Sequence, residues 1–222
     1  MTKVKICGIT NLDDALVAVE AGADYLGFIF YPPSKRSITA ENCRPIVAAL
    51  RARASCPLLV GVFVNETADF MAQILDDTNL DLAQLSGEEL PSLIAEEGSP
   101  LYGRSYKGLR PASLPEAEAE AEWYIAPQRE ADYPALLIDT FHPTLRGGTG
   151  ETGDWSMSAH LAQTFPGLML AGGLDAANVA AAVRQVRPFA VDAASGIEAS
   201  PGKKDHEAVR RFIRNAKTAV ID

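Results

Sequence analysis

The alternation of short apolar segments with helix-like segments predicts an α/β protein, a single-domain (β/α)8 TIM barrel over residues 1–222. Eight strand-length segments occur in order, and each is followed by a helix or a helix-like stretch. No linker or change of composition divides the chain, and 222 residues suit one large core.

Lys3 to Cys7 forms the first strand, with Val4 and Ile6 on one face and Lys3, Lys5 and Cys7 on the other. A helix follows from Asn11, with Thr10 or Asn11 as its cap, acidic residues in its first turn and a buried stripe of Leu12, Ala15, Leu16 and Val19. Gly22 ends it. Tyr25 to Phe30 is nearly continuous apolar sequence, the pattern of a parallel strand covered on both faces. A helix near 40–53, strand Leu58 to Val64, a helix near 67–76, strand Asp81 to Leu85 and a helix near 88–97 continue the alternation.

The fifth unit is the least regular. Leu101 to Leu109 reads as a strand containing Arg104, Ser105, Tyr106 and Lys107, and Pro115 to Glu122 then alternates Ala with Glu. A period of two suits a strand, but Ala and Glu are poor strand formers and good helix formers, so this stretch is assigned as a helix. Strand Ala135 to Thr140, a helix near 154–165, strand Leu168 to Ala171, a helix near 176–186, strand Phe189 to Asp192 and a helix near 204–218 complete eight units.

Composition narrows the function classes. Hydrophobic residues at 47% and charged residues at 22% are ordinary for a globular enzyme, and a net charge of −9 disfavours nucleic acid and anionic membranes as partners. Cys7, Cys43 and Cys56 make an odd count without metal-ligand spacing, which argues against a disulfide framework and structural zinc and for a reducing cytoplasm. The first strand begins too early to leave room for a signal peptide, and no apolar run reaches membrane-spanning length.

In this fold the active site is built at the C-terminal ends of the strands. Those ends carry Cys7, Phe30 to Arg36, Asn65, Ser86, Lys107, Asp139, Gly172 with Gly173, and Asp192 to Gly196. A lone cysteine is commonly a small buried hydrophobe. Ionised, Cys7 is a base, and a buried Asp139 with a raised pKa is an acid. Asp139 could equally cap a helix or join an ion pair, but Asp154, just before Trp155, fills the capping role better. The run from Asp139 to Trp155, with four glycines and one proline, reads either as a lid or as a surface insertion. Gly172 and Gly173 after the seventh strand, with Ser195 and Gly196 after the eighth, make two small-residue turns where barrels of this kind often bind phosphate.

A series of segments in this order resembles the phosphoribosylanthranilate isomerase family of tryptophan biosynthesis. They are KICGIT at 5–10, GADYLGFIF at 22–30, SKRSI at 34–38, VGVFVN at 60–65, IDT at 138–140, GGTGETGDW at 147–155, AGGL at 171–174, RPFAVDAASGIE at 187–198 and PGKKDH at 201–206. The resemblance implies an Amadori rearrangement of N-(5-phosphoribosyl)anthranilate to 1-(2-carboxyphenylamino)-1-deoxyribulose 5-phosphate, with no metal or organic cofactor. It implies Asp139 as the acid that opens the furanose ring and Cys7 as the base at C2. Arg36 is implied to hold the anthranilate carboxylate, and Gly172, Gly173, Ser195 and Gly196 to hold the phosphate. The expected partner is this small phosphorylated sugar–anthranilate conjugate, bound by a monomer or a homodimer. Ser86 departs from the pattern, which usually has histidine there, and in the fifth strand only Lys107 aligns with a family lysine.

Two rival readings stand beside this one. The related sugar isomerase of histidine biosynthesis has aspartate in place of Cys7 and two phosphate sites, whereas one pair of phosphate-type turns is evident here. A barrel that binds a sugar phosphate without turning it over is suggested by Ser86, yet both Cys7 and Asp139 are retained. Lys5 and Asp192 fall on strands that become neighbours if the eighth closes on the first. A buried lysine needs a partner, so the two are expected to pair, either as a purely structural ion pair or with the ammonium favouring ionisation of Cys7.

Overall fold

The structure, a computed structural model, describes residues 1–125, 129–139 and 155–220. Eight parallel strands close into a barrel: β1 (Lys3–Cys7), β2 (Tyr25–Ile29), β3 (Leu58–Phe63), β4 (Leu82–Leu85), β5 (Ser105–Leu109), β6 (Leu136–Asp139), β7 (Leu168–Ala171) and β8 (Ala190–Ala193). Each pairs with its sequence neighbour, and β1 closes on β8 with Lys5 opposite Asp192. All eight strands lie where the apolar segments place them, in a TIM barrel.

The helices are α1 (Leu12–Glu20), α2 (Ala40–Arg51), α3 (Ala68–Thr78), α4 (Ser92–Ala95), α5 (Leu114–Tyr124), α6 (Trp155–Thr164), α7 (Val179–Val186) and α8 (His206–Thr218). Side-chain caps fix the starts of several. Asn11 accepts from the Asp14 amide, Thr39 from Asn42, Thr67 from Phe70 and Ser113 from Glu116, each satisfying an amide that has no partner within its helix. The Ala/Glu stretch is helical because Ala117 and Ala121, four residues apart, both turn inward. Among the described residues no helix is long and apolar enough to cross a membrane.

Two cores result from strand alternation. Outward-facing residues such as Val4, Ile6, Leu26, Phe28, Leu59, Ile138 and Val191 pack beneath the helices, while Tyr25, Val60, Leu82, Tyr106, Leu137, Met169 and Ala190 fill the barrel. α8 contributes Val209, Phe212, Ile213 and Ala216 at helical spacing to the outer core.

The differences from expectation are local. The helix near 88–97 contracts to α4, because the Glu89 carboxylate turns inward to accept from the Asn65 and Gly87 amides, and Gly98 and Pro100 follow closely. β5 begins at Ser105, because residues 101–104 form a turn with Gly103 at a φ of +73°. A 3-10 turn (Ser195–Ile197) and a hairpin of β9 (Glu198–Ser200) and β10 (Lys203–Lys204), not anticipated, fill the space between β8 and α8. The expected Asp154 cap and all of the lid reading between Asp139 and Trp155 lie outside the described residues.

Phe212 is fully buried in the outer core beneath α8. Phe212→Ala is expected to cost about 3–5 kcal/mol, seen as a lower urea midpoint at an unchanged m-value.

Candidate active site

Cys7 ends β1 in register with Gly27 of β2, and period-two alternation turns its thiol into the barrel alongside Lys5. The room for the thiol comes from Gly27, where a Cβ would lie 2.7 Å from Sγ. The next two amides, of Gly8 and Ile9, both donate to the Gly27 carbonyl and bend the chain outward at the mouth. Gly8, at a φ of +76°, is the floor on which the Arg36 side chain lies, and a Cβ there would meet Arg36 Cδ at 2.9 Å.

Below the thiol, Lys5 is wholly buried, and the pair expected from the sequence is present: Lys5 Nζ lies 3.1 Å from Asp192 Oδ1. Lys5 also donates to Gln84 Oε1 at 2.8 Å, as does the Tyr106 hydroxyl at 2.9 Å. Gln84 Nε2 passes a bond at 3.1 Å to Ser86 Oγ, so a hydrogen-bonded chain runs from the barrel interior to the β4 rim. Burial is the largest single influence on Lys5 and lowers its affinity for its proton, but Asp192, Cys7 and Tyr106 together outweigh it and hold the ammonium charged.

Burial pushes the Cys7 thiol above its ordinary range, and Asp192 adds to that; Lys5 and then Lys204 pull the other way. Cys43, buried without a nearby ammonium, is pushed up to about 12. Lys5 therefore acts in the direction expected, although the net shift at Cys7 is upward.

Asp139 ends β6, in register with Ala171 of β7. Burial raises its pKa, Asp192 raises it further, and the Arg110 guanidinium, 3.3 Å away and largely exposed, opposes them. Cys7 and Asp139 thus face one mouth, and both sense the Asp192 carboxylate.

Arg36 lies near enough to Cys7 for their charges to interact. Its Nε and Nη2 make a two-pronged contact with Glu198 Oε1 and Oε2, each at 2.8 Å. The two small-residue turns are in direct contact, since a Cβ on Gly196 would lie 2.2 Å from the Leu174 carbonyl oxygen. Gly172 and Gly173 both adopt positive φ, of +95° and +61°, and Ser195 and Gly196 are exposed. Lys107 is buried and held by Glu89 and the Gly87 carbonyl, so its ammonium braces the β4 loop. Among the described residues no three His, Cys, Asp or Glu side chains gather in a way that could hold a metal ion.

Sequence reasoning missed Gln84, Tyr106, Arg110, Glu198 and Lys204. Gln84 and Tyr106 gave a signal, being polar atoms on strands buried on both faces. Glu198 and Lys204 lie within the SGIE and PGKKDH segments, but only the hairpin fold shows what they touch.

A closed parallel barrel with these groups gathered at its C-terminal mouth defines the class, a TIM-barrel enzyme. A family model described as N-(5'-phosphoribosyl)anthranilate isomerase matches residues 4–215, and the chain belongs to that family. A relative of that name from Citrifermentans bemidjiense is 45% identical over 221 residues, covering 100% of both chains. The crystal structure of phosphoribosyl anthranilate isomerase from Thermotoga maritima superposes with a TM-score of 0.82 at 39% identity, over 98% of this chain and 99% of that one. A phosphoribosyl anthranilate isomerase in complex with reduced 1-(o-carboxyphenylamino)-1-deoxyribulose 5-phosphate superposes with a TM-score of 0.78 at 38% identity, over 98% and 99%.

A carboxyl group whose pKa is raised by burial destabilises the fold once it ionises. Asp139→Asn is therefore expected to raise the melting temperature near pH 7 by about 2 °C. That gain should vanish as the pH falls below the ordinary carboxyl value of 3.8, where folded and unfolded chains are both protonated. Thermal melts of both proteins from pH 3.5 to 8 measure it.

Proposed function

We propose that this barrel catalyses the Amadori rearrangement of N-(5-phosphoribosyl)anthranilate to 1-(2-carboxyphenylamino)-1-deoxyribulose 5-phosphate, a step of tryptophan biosynthesis. Asp139 is the general acid and Cys7 the general base. The observation that carries the reading is the convergence of a buried thiol and a half-buried carboxyl on one barrel mouth, with Asp192 in electrostatic reach of both.

The protonated Asp139 carboxyl gives its proton to the furanose ring oxygen. The C1–O bond breaks, and the anilino nitrogen lone pair forms a Schiff base at C1. The Cys7 thiolate then takes the C2 proton, the C–H electron pair becomes a C1–C2 double bond, and the resulting enolamine tautomerises to the aminoketone. Every electron pair stays in the substrate while the two side chains move protons. Arg36 binds the anthranilate carboxylate through its planar array of donors. Gly172, Gly173, Ser195 and Gly196 present backbone amides to the phosphate. That the three cysteines are free thiols suits action in a reducing cytoplasm.

The productive form combines a thiolate with a protonated carboxyl. Because an ordinary carboxyl titrates far below an ordinary thiol, this is the minor ionisation state, and its population falls tenfold for each unit that Cys7 rises. An ammonium beside Cys7 therefore acts directly on the rate. Lys5 supplies the larger share and Lys204 the smaller.

Loss of substrate fluorescence on mixing phosphoribosylanthranilate with the purified protein tests the activity. Cys7→Ala and Asp139→Asn are each expected to lower kcat by about 10²- to 10⁴-fold, and full activity in either refutes the assigned roles. In Lys5→Met the alkylation pKa of Cys7 should rise and the kcat/KM plateau should fall. An unmoved alkylation pKa would reduce Lys5 to a brace across the closure of the barrel.

A further inference from the structure

Glu198 and Lys204 are buried charges that move no proton in the steps above, although Lys204 contributes to the field at Cys7. Only 4% of the Glu198 side chain and none of the Lys204 side chain is exposed. Glu198 Oε1 accepts from Arg36 Nε at 2.8 Å, from Lys204 Nζ at 3.1 Å and from the Gly202 amide at 3.4 Å, while Oε2 accepts from Arg36 Nη2 at 2.8 Å. Lys204 Nζ also donates to the Ala194 carbonyl at 3.1 Å, one residue before the Ser195–Gly196 turn. The hairpin that carries both residues is itself anchored. The Thr10 hydroxyl donates to the Gly202 carbonyl at 2.5 Å, and the Lys204 amide donates to Asp14 Oδ2 at 2.8 Å.

Two consequences follow from charge and geometry. An arginine paired with one carboxylate is a neutral unit with little attraction for a second anion, whereas Arg36, Glu198 and Lys204 together carry a net charge of +1. A bidentate contact also uses two of the five guanidinium N–H groups and fixes the plane of the others. We propose that Glu198 is a positioning residue for Arg36, with Lys204 as the counter-charge. The pair holds the guanidinium on the Gly8 floor in one orientation and keeps the cluster cationic, so that the three remaining N–H groups meet the aromatic carboxylate of the substrate already aimed. This inference rests on the assignment of Arg36 to that carboxylate.

The test is a functional-group comparison by titration calorimetry. The ligands are reduced 1-(o-carboxyphenylamino)-1-deoxyribulose 5-phosphate and the analogue lacking the ring carboxylate. Wild type should bind the carboxylated ligand about tenfold or more tightly, and Arg36→Met should bring the ratio near one. Glu198→Gln should lower the ratio at least threefold while leaving affinity for the analogue unchanged. If Glu198→Gln fails to fold because Lys204 is left unpaired, Glu198→Gln with Lys204→Met removes both charges and gives the same comparison. A purely structural role weakens both ligands alike, so an unchanged ratio overturns the proposal, as does a larger one, which would make Glu198 a competitor for Arg36. A ratio that Arg36→Met leaves unmoved overturns the carboxylate assignment, and this inference with it.

Discussion

The pairing of Lys5 with Asp192 is the interaction on which the barrel and its chemistry both depend. It spans the seam where the last strand closes on the first, and its two charges lie among apolar residues that fill the barrel. An unpaired ammonium there would be strongly destabilising, and the pair is tolerated because Gln84 accepts a further lysine proton. The same two charges divide the work at the mouth. Asp192 raises the pKa of both the Asp139 carboxyl and the Cys7 thiol, disfavouring the charged form of each. Lys5 lies where it offsets that effect at the thiol. Exchanging this pair for apolar residues would leave a thiol governed by burial, as Cys43 is.

Most of the fold was legible because a parallel strand covered on both faces leaves a simple signature, a short apolar run between two helical patterns. That signature sufficed for β2, β3, β6 and β7. It also located Cys7 and Asp139, since a strand's last inward residue in this architecture faces the mouth. The Lys5–Asp192 pair is legible in the sequence, because closure of eight strands fixes which are neighbours. Several of the failures come from polar side chains recruited by contacts that no periodicity reveals. Glu89 abandons a helical pattern to satisfy the Asn65 and Gly87 amides and the Lys107 ammonium. Glu198 and Lys204 form a hairpin too short to show periodicity, stabilised by contacts to Thr10, Asp14 and Arg36, more than 150 residues away in sequence.

The cations at the mouth are held in different ways, and the difference bears on what each can do. Lys107 is matched one to one by Glu89, which leaves a neutral brace between the β4 and β5 ends. Arg110 is largely exposed beside Asp139, so solvent weakens its pull on that carboxyl and burial prevails. Among the described residues at the mouth, only around Glu198 do two cations share one carboxylate, leaving positive charge at the rim next to the phosphate-type turns. An anionic substrate approaching a protein of net charge −9 meets its favourable field there.

At the opposite end, carboxylates do a different job. Asp24 accepts from the Val4 amide at 2.8 Å and Asp81 from the Leu59 amide at 2.7 Å, pinning the starts of β1 and β3. Lys217 and Arg51 neutralise these two aspartates from α8 and α2, so helices and strands are joined where no chemistry is assigned. Strand starts fixed by side chain-to-backbone bonds free the strand ends from that duty. The end residues Cys7 and Asp139 can then be kept in environments that penalise their charged forms. Such a cost can be carried at the mouth because closure of the barrel is secured elsewhere, by the buried Lys5–Asp192 pair and the pinned strand starts.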